Sequence, residues 1–63
     1  MKGTVKRFFG EKGYGFVDGN DGQSYFLHIK QIRDQVIPKD GDEVKFDGVE
    51  TEKGKQAHNV MVM

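Results

Sequence analysis

Four ring side chains stand in two closely spaced pairs, Tyr14 with Phe16 and Phe26 with His28. Along an extended strand alternate side chains point to one face, so each pair shares a surface. Gly13 and Gly15 flank Tyr14 and leave the backbone there low and open. Flat rings turned toward water add little to the stability of a small protein. Unstacked nucleobases, each with a π-face, are the natural partners of such a platform. The residue types and spacing therefore point to a nucleic-acid-binding surface.

Charge supports that reading by its distribution rather than its total. The formal net charge is zero, where a strongly basic domain would be the simple sign of a nucleic-acid partner. Residues 1–17, however, carry Lys2, Lys6, Arg7 and Lys12 against Glu11 alone, a balance of +3. The remainder carries six basic and nine acidic residues, a balance of −3. The positive charge thus shares a segment with Phe8, Tyr14 and Phe16, as a polarised binding face requires.

The elements that must position these groups are short strands. Thr4, Lys6 and Phe8 alternate with Gly3, Val5 and Arg7 in a first strand over about residues 2–9. Gly10-Glu11-Lys12-Gly13 turns the chain into a second strand at about 14–18, and Asp18-Gly19-Asn20-Asp21-Gly22 forms a hairpin loop. A third strand covers Ser24 to Ile29. Residues 30–42, with Pro38 and Asp40-Gly41, read as a connection with a helical turn near Lys30–Arg33. Glu43–Val49 alternates again, Lys53-Gly54 turns, and Gln56–Val62 is the last strand. With no amphipathic helix in view, the pattern predicts an all-β fold, a small five-stranded antiparallel barrel formed by residues 1–63 as one domain.

Alternation also assigns an interior: Val5, Val17, Tyr25, Leu27, Ile32, Val44, Phe46, Val60 and Val62. Phe8, Tyr14, Phe16 and Phe26 fall on the opposite face. A slip of one residue would exchange inside and outside.

With these residues in hand, the chain resembles the bacterial-type cold-shock proteins. Lys12-Gly13-Tyr14-Gly15-Phe16-Val17 is similar to the opening of the ribonucleoprotein motif RNP1. Phe26-Leu27-His28 resembles RNP2, and Gly3-Thr4-Val5-Lys6 and Gln56-Ala57-His58-Asn59-Val60 resemble the family's two ends. In RNA-recognition-motif domains RNP2 comes first and two helices back the sheet. Here RNP1 comes first, and the chain is too short for two helices. The resemblance implies an OB-type barrel that binds single-stranded RNA or DNA across its first three strands. Carried over position by position, it implies base stacking on Phe8, Tyr14, Phe16, Phe26 and His28, with Lys6 and Lys12 near the nucleic-acid backbone.

Three departures bear on strength. Arg7 stands where most members have tryptophan and Ile29 where many have phenylalanine. The loop after Ile32 is too short to supply a further aromatic and carries Val36 and Ile37 instead. Each lost platform removes roughly 1–3 kcal/mol per base. Arg7 offsets part of this, since a guanidinium stacks on bases and attracts phosphate. Phe9, where the family has asparagine, is either a replacement platform or an edge residue packed against the barrel. The expectation is a weaker binder shifted from ring stacking toward arginine contacts, acting as an RNA chaperone on weak secondary structure and so on transcription or translation.

Other chemistry finds little support. His28 and His58 are the only histidines and there is no cysteine, which argues against a zinc site. Asp18, Asn20 and Asp21 lack the downstream glutamate of a calcium loop. Gly13-Tyr14-Gly15 lies inside a strand with no helix after it, unlike a phosphate-binding loop. The sequence thus predicts no enzyme, no cofactor and no small-molecule substrate. No apolar run approaches the roughly 20 residues that cross a bilayer, and no leader pattern opens the chain. A complete cytoplasmic monomer is expected. Two rival readings of the face are a protein–protein platform built on Arg7, Phe9 and the acidic second half, and a swapped dimer that buries the rings.

Overall fold

Strand-like alternation in the sequence becomes alternation in burial. The structure, a computed structural model, describes residues 1–33 and 36–63. Strands β1 (Lys2–Phe9), β2 (Tyr14–Gly19), β3 (Ser24–His28), β4 (Glu43–Thr51) and β5 (Gly54–Val62) close into a barrel in the order β1-β2-β3-β5-β4. A 3₁₀ turn at Ile29–Gln31 follows β3, one residue ahead of the expected helical turn. Residues 34 and 35 of the expected connection lie outside the described residues.

Local turns make the antiparallel neighbours. The amides of Lys12 and Gly13 both donate to the Phe9 carbonyl, at 3.0 and 2.8 Å, which reverses the chain between β1 and β2. Gly13 sits at φ +78°, left-handed backbone that glycine adopts without a Cβ penalty. The β4–β5 hairpin is tighter than the pattern predicts, with Thr51 paired to Gly54. The Thr51 hydroxyl donates to the Gly54 carbonyl at 2.8 Å and accepts the Lys53 amide at 3.2 Å. Closure is the exception to antiparallel pairing: β3 meets β5 in parallel through Phe26–Gln56 and Leu27–Ala57.

The interior holds Val5, Val17, Tyr25, Leu27, Ile32, Val44, Phe46, Ala57 and Val60. Val62, expected inside, is half-buried at the rim, and Ala57 joins the core instead. A bulge in β5 explains the burial of Ala57. One residue of β4 lies between the pairs Lys45–Met61 and Asp47–His58, against two of β5. Asn59 takes up the extra residue at φ 52° and donates to Asp47 at 3.1 Å. Ala57 and Val60, three positions apart, thereby both face inward.

A second bulge matters more for function. Val5 pairs with Val17, yet the next pair is Arg7 with Phe16, so Lys6 is the extra residue on β1. The phase inverts beyond it. Arg7 turns outward, Phe8 turns in opposite buried Gly15, and Phe9 turns out opposite Tyr14. The segment before β4 holds this kink from the other edge. Val5 donates to Asp42 O at 2.8 Å, Gly41 donates to Val5 O at 2.7 Å, and the Phe8 amide donates to the Asp40 carboxylate at 3.0 Å.

Candidate nucleic-acid interface

The register of β1, β2 and β3 assembles two rungs across their outer face. In one, Arg7 is paired with Phe16 and Phe16 with Phe26. In the other, Phe9 is paired with Tyr14 and Tyr14 with His28. Ring centroids lie 5.6 Å apart for Phe9–Tyr14, 5.8 Å for Tyr14–Phe26, 6.0 Å for Phe16–Phe26 and 6.5 Å for Phe26–His28. These are ordinary contact distances between aromatic neighbours, so the rings form one continuous surface. Phe16 keeps 41% of its area exposed, an unusual cost for a phenylalanine. Tyr14 and Phe26 are half-buried at their edges and His28 is exposed.

Cations border this surface. The Arg7 guanidinium carbon stands 5.8 Å from the Phe9 ring centroid, and the Lys12 ammonium 5.7 Å from the same centroid. Both distances allow cation–π attraction. Three shallow hollows run across the face. One is bounded by Lys6, Arg7, Phe9, Phe16 and Ser24, and a second by Phe16, Ser24, Phe26, Lys53, Lys55 and Gln56. The third includes Phe26, His28, Lys30 and Gln31. The His28 Nδ1 accepts the Lys30 amide at 3.1 Å. The neutral ring therefore carries its proton on Nε2, the nitrogen left free as a donor.

Of the sequence-predicted residues, Lys6, Arg7, Lys12, Tyr14, Phe16, Phe26 and His28 share this face or its border. Phe8 does not. It is half-buried and packed on the core, because the Lys6 bulge reverses the alternation that placed it outside. A Cβ on Gly15 would come within 2.7 Å of the Phe8 Cα and 2.8 Å of its ring, so glycine there lets Phe8 close beneath the rungs. Phe9 takes the outer place. The signal was present in Val5-Lys6-Arg7-Phe8, where two consecutive polar residues break strict alternation. Lys53 and Lys55 carried no such signal, since only closure of the barrel brings the β4–β5 turn beside Phe16 and Phe26.

Comparison with known proteins agrees with the geometry. The family model of the 'Cold-shock' DNA-binding domain matches residues 1–63. The chain belongs to the cold-shock domain family. Cold shock protein 1 of Lactiplantibacillus plantarum is 41% identical over 61 residues, covering 94% of this chain and 92% of that protein. Cold shock-like protein CspC of Bacillus cereus is 40% identical over 63 residues, 97% of each chain. Among solved structures, Drosophila Unr CSD456 superposes with a TM-score of 0.73 at 24% identity. That match covers 98% of this chain and 26% of the other, and it shows the shared OB-type barrel. The cold-shock domain is a nucleic-acid-binding, non-enzymatic family that takes single strands. No helix among the described residues is long and apolar enough to cross a membrane.

Proposed function

We propose that this cold-shock domain binds single-stranded RNA and DNA on the two rungs and opens weak RNA secondary structure without ATP. Bases stack on Phe9, Tyr14, Phe16, Phe26 and His28, while Lys6, Arg7 and Lys12 attract phosphates. Phe8 supports the platform from below. One observation carries the reading: a continuous row of partly exposed rings lies on the outside of a small barrel, bordered by cations. Stacking tolerates every base, so the binding is broad in sequence.

The energetics suit a chaperone. Each stacked base contributes roughly 1–3 kcal/mol, and a base-pair step in a duplex is worth about 1.4 kcal/mol. Two or three captured bases therefore offset the loss of a few steps, enough to melt a short stem and too little for a long duplex. Mass action on the unpaired state then alters how transcripts are read or translated. The same reading makes the protein a cytoplasmic monomer with no small-molecule substrate.

Fluorescence anisotropy of a labelled oligothymidine, at low and near-physiological salt, tests the binding. Saturable binding that weakens modestly with salt is expected. A steep loss would assign the affinity to the cations instead. Absence of binding to DNA and RNA strands alike would reject the reading and favour a protein partner. A quenched hairpin that brightens on addition of protein, with no nucleotide present, tests the melting.

A further inference from the structure

We infer that the hollow at Arg7 is a guanine-selective subsite. The inference rests on the proposed use of this face for single strands, and it assigns a base preference that stacking alone does not create. Arg7, Phe9 and Lys6 of β1 form one side, Phe16 of β2 stands opposite Arg7, and Ser24 of β3 closes the end.

Donors and acceptors are separated within it. On the β1 side stand the Arg7 guanidinium and the Lys6 ammonium, which only donate. Phe9 lies against the guanidinium at 5.8 Å, so the fork has a fixed neighbour on one side. At the other end the Ser24 hydroxyl donates to Asp18 Oδ1 at 3.2 Å. That bond uses the one proton of Ser24, so Ser24 and the Asp18 carboxylate both present acceptors. Asp18 is exposed and two residues beyond Phe16 on β2, hence on the same face.

A base stacked on Phe16 meets donors on one side and acceptors on the other. Guanine matches both. Its O6 and N7 accept from the two prongs of an arginine, the commonest specific contact to a base edge. Its N1–H and N2–H₂ groups donate, which suits Ser24 and Asp18. Adenine turns an N6 amino group toward the guanidinium, donor against donor. Cytosine does the same with N4. Thymine and uracil offer O4 alone, half of the fork. The expected order is guanine, then thymine or uracil, then adenine and cytosine. A flat indole at this position would have no such edge preference, so the base choice belongs to the arginine.

The test is anisotropy with a short oligothymidine carrying a single guanine, moved through each position in turn. At its best position guanine is expected to tighten binding about tenfold. Replacing it there with 7-deazaguanine, which lacks the N7 acceptor, should remove most of the gain. Adenine or cytosine at that position should bind below thymine. In Arg7→Met, which removes every donor of the side chain, the guanine-to-thymine affinity ratio should fall to near one, with thermal unfolding confirming that the variant is folded. Equal affinity for all four bases overturns the subsite while oligothymidine binding keeps the broader reading intact. A gain that survives 7-deazaguanine or Arg7→Met also overturns it. Failure of every oligonucleotide, oligothymidine included, removes both proposals together.

Discussion

The two faces of β2 and β3 show opposite uses of apolar side chains within a few ångströms of each other. Inward, Val17, Tyr25 and Leu27 are buried. Outward, Phe16, Phe26 and Tyr14 form a surface whose most exposed ring, Phe16, keeps two-fifths of its area in water. Burial explains the inner residues completely, at about 25 cal/mol per Å² of apolar area removed from water. The same principle argues against the outer ones. Side chains that a fold would place inside for stability, held outside by the strand period, are the ones the proposed function gives to a nucleic-acid ligand.

The largest expected effect separates adjacent residues. Leu27→Ala should destabilise the domain by about 2–5 kcal/mol, enough to unfold much of a small barrel, as chemical denaturation would show. Its neighbour Phe26→Ala should leave the denaturation midpoint nearly in place and weaken oligonucleotide binding by roughly five- to 150-fold. If Phe26→Ala proved the more destabilising, the contrast between faces would be wrong.

Phe8 and Phe9 repeat the contrast within β1. Phe8→Ala is expected to cost about 2 kcal/mol of stability, since the ring packs on the core. Phe9→Ala should instead lower affinity several-fold at nearly constant stability. The reverse outcome would place the phase shift somewhere other than Lys6.

Arg7→Trp sharpens the comparison on the outer face. A ring at that position should tighten oligothymidine binding about fivefold, the value of one further stacking contact. Unchanged or weaker binding would mean that the guanidinium already does as much for thymine as a ring can. Losing Lys53 and Lys55 together should weaken binding most at low salt and less as salt rises. For single strands the slope of log affinity against log salt should become shallower by about 1.4 if each lysine meets one phosphate.

The smallest effect lies at the end of the barrel, away from the rings. The Tyr25 hydroxyl donates to Asp21 at 2.6 Å. That bond, with the Gln23 amide second, holds the Asp21 carboxyl below its ordinary 3.8. Tyr25 is raised above its ordinary 10.0, first by the bond to Asp21 and then by burial. Asp21 therefore contributes stability that is present above pH 3.8 and lost as pH falls through its folded value. The Tyr25 contribution is present below pH 10.0 and lost as pH rises through its folded value. Tyr25→Phe should flatten both ends of the stability–pH curve relative to the parent protein, while oligonucleotide binding at neutral pH stays the same.

Sequence alone determined what depends on neighbours along the chain. Tyr14-Gly15-Phe16-Val17 and Tyr25-Phe26-Leu27-His28 obey a period of two without interruption, and a short turn makes β2 and β3 antiparallel partners. Their faces, most of the core and most of the candidate site were legible for that reason. The five strands were legible too, because turn-forming residues separate them. Tertiary structure decided the rest. A bulge adds a residue to one strand only because the opposite strand fixes the register on either side. The inward turn of Phe8 was therefore signalled only by the break at Lys6 and Arg7, and the shared burial of Ala57 and Val60 had no signal in the alternation. The parallel meeting of β3 and β5 joins residues 30 positions apart, and no local pattern encodes that pairing. It is this closure that carries Lys53 and Lys55 to the edge of the ring surface, and the Lys6 bulge that sets Arg7 opposite Phe16.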